Sequence, residues 1–275
     1  MKRLVTLLIL AVFFIPIAEA QNTNSIPKDE ELQEINESIL AEAYQLYLHE
    51  KVAWILEDIF FGSDSKAKNT VEGWVPITED GITVKGVFYN KEKTKAVYEA
   101  TFNIQTGEAS SKDSIRDLTA DEKDKIKIRE TIINAVRTLD NLPACPEGCT
   151  FNVETRMIDE DLYRVYFMLG TSQRGVIPFG CDFSYDCDSK GNVKEFRRYH
   201  NSYIPAPLTM DGEPVQEFIH SHTSICPYIA PTDIALFLLY GYEPTGLKGF
   251  KVYSSALKCY FVFDAENYEI KVERR

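Results

Sequence analysis

The sequence predicts an α+β fold, in which a helix, an antiparallel sheet and a second helix precede a mixed-sheet α/β half. Three observations predict it. Apolar residues recur at three- and four-residue steps from about Asp29 to Phe60, the period of a helix with one buried face. From Trp74 to Ile104 the period changes to two, the signature of strands. Beyond about residue 150, short alternating runs separated by turn residues are interrupted by a single apolar helical run after Asp233.

The elements follow in order. Leu32, Ile35, Ile39, Ala43, Leu46, Ala53 and Trp54 mark the buried stripe of the first helix, and Gly62-Ser63-Asp64 stops it. His49 lies in this helix, where a lone histidine reads as a surface or packing residue. Ile82–Tyr89 reads as a strand, 90–94 as a turn and Lys95–Ile104 as its partner, with Thr106-Gly107 turning the chain again. Thr119-Ala120-Asp121-Glu122 is a capping box: the Thr hydroxyl and the Glu carboxylate satisfy first-turn amides of the helix they open. Asn141-Leu142-Pro143 ends that helix, and the Pro- and Gly-bearing stretch to Thr150 is the best boundary between two modules, 29–142 and 143–275. In the second module strands are expected at Leu162–Leu169, Gly175–Tyr185, Val193–Tyr199 and Val215–His222. A helix opening at Asp233 and closed by Gly241 comes next, then strands at Lys248–Ser254, Lys258–Asp264 and Tyr268–Val272.

Residues 1–20 read as an export signal rather than as structure. Lys2 and Arg3 precede an apolar run from Leu4 to Ile17, and Ala18-Glu19-Ala20 supplies the small-x-small cleavage pattern. The run is too short for a membrane span, and no second long apolar run follows. The expected product is exported to the periplasm or extracellular space, with 21–28 as a flexible lead. Removing Lys2, Arg3 and Glu19 leaves 28 basic and 41 acidic residues, a net charge of −13. That balance excludes the basic footprint needed for nucleic acid or anionic membranes. All six cysteines lie in the second half, where an exported chain permits either local disulfides, such as Cys145 with Cys149, or inert thiols.

The chemistry concentrates in 218–234. His220 and His222 alternate on one strand, so both imidazoles project to the same face about 7 Å apart along the chain. A Pro-containing loop then leads to Asp233 at the head of the apolar helix. Two histidines and one aspartate, with a fourth position left for water, make the ligand count of a catalytic zinc site. His200 and Tyr228 are further candidates to line that pocket. The bland alternatives are that the histidines face solvent or ordinary partners and that Asp233 is only a helix cap. No Gly-x-Ser-x-Gly elbow and no phosphate-cradling Gly-rich loop competes. Cys226 beside the histidines allows a Cys–His pair in principle, with nothing in its flanks to support one.

The order His220-x-His222, seven residues, Ala230, two residues, Asp233 resembles the JAMM motif of the MPN-domain metalloproteases. The resemblance implies zinc on His220, His222 and Asp233, an MPN-like domain over 143–275, and hydrolysis of a peptide or isopeptide bond in a protein or peptide partner. The family carries Ser where this chain has Ala230, and a Glu as general base upstream. Asp182 falls about where that base would stand, with Glu195 and Glu217 as alternatives, and Ser221, Thr223 and Thr232 are nearby hydroxyls that could replace the missing donor. A second reading keeps the scaffold without the chemistry: a secreted, non-catalytic module that recognises a protein, peptide or glycan.

Overall fold

The computed structural model describes residues 27–78, 82–140 and 142–274. The expected signal peptide, residues 1–20, and residues 21–26 of the lead lie outside the described residues. The architecture is mixed helix and sheet, as the periodicities predict. Helix α1 (Asp29–Gly62) runs 34 residues, about 50 Å at the α-helical rise. A four-stranded antiparallel sheet follows, β1 (Val71–Thr78), β2 (Thr83–Asn90), β3 (Lys95–Asn103) and β4 (Ala109–Asp117), hydrogen-bonded in chain order. Helix α2 (Ala120–Arg137) opens with the expected capping box. The Thr119 hydroxyl accepts from Glu122 N at 3.2 Å, and Glu122 Oε2 accepts from Thr119 N at 2.8 Å.

The second half contains four separate strand assemblies. Strands β5 (Cys149–Asp159), β6 (Leu162–Thr171), β8 (Phe183–Cys187) and β9 (Val193–Arg198) make an antiparallel sheet in the order β5-β6-β8-β9. Strand β7 (Val176–Gly180) pairs instead with β10 (Tyr203–Pro207), and β11 (Thr209–Met210) and β12 (Glu213–Pro214) form a small hairpin. Strand β13 (Phe218–His222), helix α3 (Pro231–Phe237) and strand β14 (Gly249–Ser254) form a β-α-β unit, with β13 and β14 parallel. Strands β15 (Cys259–Asp264) and β16 (Glu269–Arg274) complete that mixed sheet with antiparallel pairings.

Two expected elements differ. The single strand read over Gly175–Tyr185 is β7 and β8 in different sheets, because the chain turns between them. Gly180 at φ 91° and Cys181 at φ 53° are both left-handed, which no continuous strand accommodates. The helix expected to end at Gly241 keeps winding through a π-helical turn (Leu238–Tyr242) to Thr245, and Gly246 at φ 71° stops it. Gly241 packs against Ile177 and Phe237, where a Cβ would come within 2.9 Å of the Ile177 side chain. Its role is therefore close packing rather than helix termination.

The helices tie the halves together. Leu32, Ala43 and Leu46 of α1 enter the same core as Ile234, Phe237, Phe250 and Phe261, while Val52, Leu56 and Phe60 farther along α1 cover β2 and β3. Helix α2 packs Ile126 against the first sheet and Ile132 and Val136 against Val165, Phe167 and Phe183 of the second. Packing thus crosses residue 142. No helix among the described residues is long and apolar enough to cross a membrane. All six cysteines are unpaired thiols, Cys145 and Cys149 included.

Candidate metal centre

Strand alternation does to His220 and His222 what the sequence predicts. Both point inward from β13, at 8% and 2% exposure, while Ser221 between them faces out. Their Nε2 atoms lie 3.2 Å apart. The loop after β13 returns to Ala230, and α3 begins with Pro231 at its first turn, the position that tolerates a missing N–H. Asp233 sits in that turn and accepts from Ala230 N at 3.0 Å through Oδ2. This is half of a capping interaction, so the bland expectation for Asp233 holds in part. Its carboxylate also reaches the histidines, with Oδ2 at 3.2 Å from His222 Nε2 and Oδ1 at 3.3 Å from His220 Nε2.

A fourth side chain completes the group. His200 Nε2 lies 2.7 Å from His222 Nε2 and 3.3 Å from Asp233 Oδ1. One donor atom from each of His200, His220, His222 and Asp233 falls within 4.8 Å of all the others. Four ligands at about 2.0–2.1 Å from a tetrahedral ion stand about 3.3 Å from one another, so most of these separations already match a bound ion. The donor chemistry fits as well. Asp233 Oδ1, fully enclosed, has no hydrogen-bond partner of its own, which leaves a lone pair aimed at the space among the imidazoles.

The outer contacts of His200 and His222 favour the required tautomer. His222 Nδ1 meets the Tyr228 carbonyl at 2.5 Å, and His200 Nδ1 meets Asp182 Oδ1 at 2.6 Å. An Nδ1–H donated to each acceptor leaves Nε2 as the free donor atom. Asp182 is fully buried, and its other oxygen accepts from the Thr232 hydroxyl. The backbone explains how Asp182 reaches His200. Strands β8 and β9 pair Phe183 with Arg198, and the ladder runs on as Tyr199 N donates to Asp182 O at 3.1 Å. The left-handed bend at Gly180-Cys181 delivers Asp182 to that point, and a Cβ on Gly180 would meet Ser202 O at 2.0 Å.

The electrostatics follow from crowding. Burial alone would raise the Asp233 pKa, but three imidazoles outweigh it and hold the carboxylate well below its ordinary value. Burial would lower His200 and His222, yet the neighbouring carboxylates win. His200 is raised by Asp182 and Asp233, and His222 is pushed up to about 11, chiefly by Asp233. These raised imidazoles favour bound protons, which an ion at this site would have to displace.

Each residue singled out from sequence has a definite place. His220, His222 and Asp233 come together. Asp182 touches His200 rather than the space among the ligand atoms. Tyr228 contributes its carbonyl, while its ring packs edge-on to Phe261 at 5.8 Å. His200, expected only to line the pocket, is one of the four. The hydroxyls considered as replacements for a Ser at Ala230 are elsewhere, Thr232 bonded to Asp182 and Ser221 and Thr223 exposed. Cys226 lies near His222, but burial pushes its thiol up, so no ready thiolate is available. Comparison with protein-family models, with curated proteins and with solved structures finds no match to this chain.

Proposed function

We propose that the chain is an exported zinc-binding protein whose His200, His220, His222 and Asp233 form a closed, four-ligand centre on a JAMM-like scaffold. In this reading it is the non-catalytic member of the pair of functions considered from sequence, and it recognises a protein, peptide or glycan. One observation carries it: His200 offers a fourth donor atom within 4.8 Å of those of His220, His222 and Asp233, where a hydrolytic centre would keep water, and all four side chains are under 9% exposed. Three imidazoles and a carboxylate suit zinc, although iron and manganese share much of that donor preference. Export is carried by the apolar run Leu4–Ile17 and the Ala18-Glu19-Ala20 site. The centre would join β13, α3 and the end of β9, three segments that no disulfide links.

The contact between Asp182 and His200 favours a second reading, that of a peptidase. His220, His222 and Asp233 would then hold the ion, which when bound supplies a Lewis acid and lowers the pKa of water. His200 Nε2 would accept the proton of the attacking water and return it to the leaving amine, with Asp182 holding Nδ1–H.

Metal analysis of the mature chain, purified without chelator or nickel, separates the two readings. The closed centre predicts about one zinc per chain, loss of that zinc in His200→Ala, and no cleavage of a peptide library. Zinc retained in His200→Ala, with peptide cleavage by the unmodified chain that this substitution abolishes, would establish the peptidase instead. No metal bound even after incubation with zinc, iron or manganese would overturn both.

A further inference from the structure

A cavity of about 480 Å³, sharing no residue with the metal centre, lies between α1, β1, α2 and β5. Its size is that of a small-molecule site. Both tryptophans of the chain, Trp54 and Trp74, line it, and Glu50, Glu57 and Glu154 put three carboxylates in its wall. Glu154 is 1% exposed. One of its oxygens pairs with His49 Nδ1, while the other, Oε1, is enclosed and has no hydrogen-bond partner. Asn152 Nδ2 donates to Glu50 Oε2 at 2.9 Å, and Trp74 Nε1 to Glu57 Oε1 at 3.0 Å, so these neighbours are held in place. A buried carboxylate oxygen left without a donor is costly. A ligand that brings an N–H to it removes that cost.

We infer that this cavity binds a primary ammonium group on an apolar chain, with Glu154 Oε1 accepting from the ammonium and the indoles of Trp54 and Trp74 flanking its stem. Cations are attracted to indole faces, and the alkyl stem gains from the apolar lining of Val75, Pro76 and Ile128. The cavity's own cations, Lys125 and Arg129, come from α2, and Arg129 is engaged with Val153 O at 3.4 Å. Burial, with Glu154 nearby, pushes Glu50 up to about 7, and His49, paired with Glu154, only partly offsets it. The ammonium comes either from a free alkyl amine or from a lysine side chain of a peptide.

Since the chain has only these two tryptophans, its intrinsic fluorescence reports the cavity directly. The zinc-incubated full mature chain would be titrated with cadaverine, with Nα-acetyl-lysine amide and with its uncharged des-amino analogue Nα-acetyl-norleucine amide. At least one amine should shift the emission saturably and bind at least ~10-fold more tightly than the norleucine derivative, the scale of one charge-assisted hydrogen bond. Cadaverine alone assigns a free amine, and the lysine derivative alone or both together assign the side chain. Glu154→Gln should weaken binding by at least ~10-fold. Met157→Lys, at a rim residue 67% exposed and safe for folding, should weaken it too by placing a competing cation at the mouth. No saturable shift with either amine up to ~10 mM, the level of very weak affinity, would overturn the inference. Equal binding of the norleucine derivative, or full affinity in Met157→Lys, would do the same.

Discussion

Replacing Asp182 with asparagine tests how the candidate centre is held. The side chain is fully buried, with Oδ1 at 2.6 Å from His200 Nδ1 and the other oxygen accepting from Thr232. Asparagine has the same shape. Its oxygen can face His200 while its NH₂ donates to the Thr232 hydroxyl, so each group keeps a partner and the fold should survive. What disappears is the negative charge that makes Nδ1–H the preferred tautomer and raises the basicity of Nε2. Losing such an outer carboxylate costs about 10–100-fold in metal affinity, which corresponds to about 1.4–2.8 kcal/mol. The assay is competition for zinc against a chromophoric chelator, with thermal unfolding with and without EDTA beside it. The stabilisation conferred by saturating zinc should shrink by the same amount. An unchanged zinc affinity in a folded Asp182→Asn chain would refute the reasoning. If peptide cleavage vanished at the same time, Asp182 would be holding His200 as the proton acceptor of the peptidase reading and not as a metal ligand.

Three further outcomes follow. Zinc binding at neutral pH should release protons, because His200 and His222 are raised in the metal-free fold; affinity should therefore climb as pH rises, and calorimetry in buffers of different ionisation enthalpy should detect the protons. Glu50, 6% exposed and raised to about 7, binds its proton more tightly folded than unfolded, so its contribution is intact below about pH 4.5 and is lost as pH rises toward 7. That shift is worth at most about 3 kcal/mol, and Glu50→Gln should flatten this part of the denaturant-derived stability profile; an unaltered slope would refute that assignment. Gly180→Ala should cost ~3 kcal/mol or more in urea unfolding, from left-handed strain plus overlap with Ser202 O, and should lower zinc affinity because the bend delivers Asp182; wild-type values for both would refute that role.

What the sequence made legible depends on burial. Strands β2, β3, β6 and β13 carry an apolar face, and their alternation is plain in the residues. Strand β4, Ala109–Asp117, has only Ile115 as a large apolar residue, and that side chain is 89% exposed. Strand β5, rich in polar residues, is likewise an edge of its sheet. An edge strand is held largely by backbone hydrogen bonds to one neighbour, which any non-proline side chain permits, so β4 left no periodic trace, whereas β5 does alternate, Phe151 and Val153 against Asn152 and Glu154. The capping box at Thr119 was legible because it is a local interaction complete within four residues. The break at Gly180-Cys181 was hidden inside an apolar run, since Gly180 is compatible with both a strand and a turn.

The candidate centre divides along the same line. His220, His222 and Asp233 lie within fourteen residues of sequence, so spacing alone could bring them together. His200 is twenty residues before His220, in a segment whose two arginines suggest a surface. Nothing local marks it. It is buried because the β8–β9 ladder continues one step beyond its last paired strand residues, placing Asp182 beside Tyr199 and His200. The bonds from Asp182 to His200 and to Thr232 then tie that ladder to the first turn of α3, next to Asp233. The same arrangement bears on the chemistry. A ligand set of two histidines and an aspartate leaves a corner for water, whereas His200 as a fourth ligand, as proposed, would fill it. In this chain, therefore, the question of hydrolysis turns on His200 more than on Ala230: a missing hydroxyl would slow a reaction, but a filled corner would leave the water no place to bind.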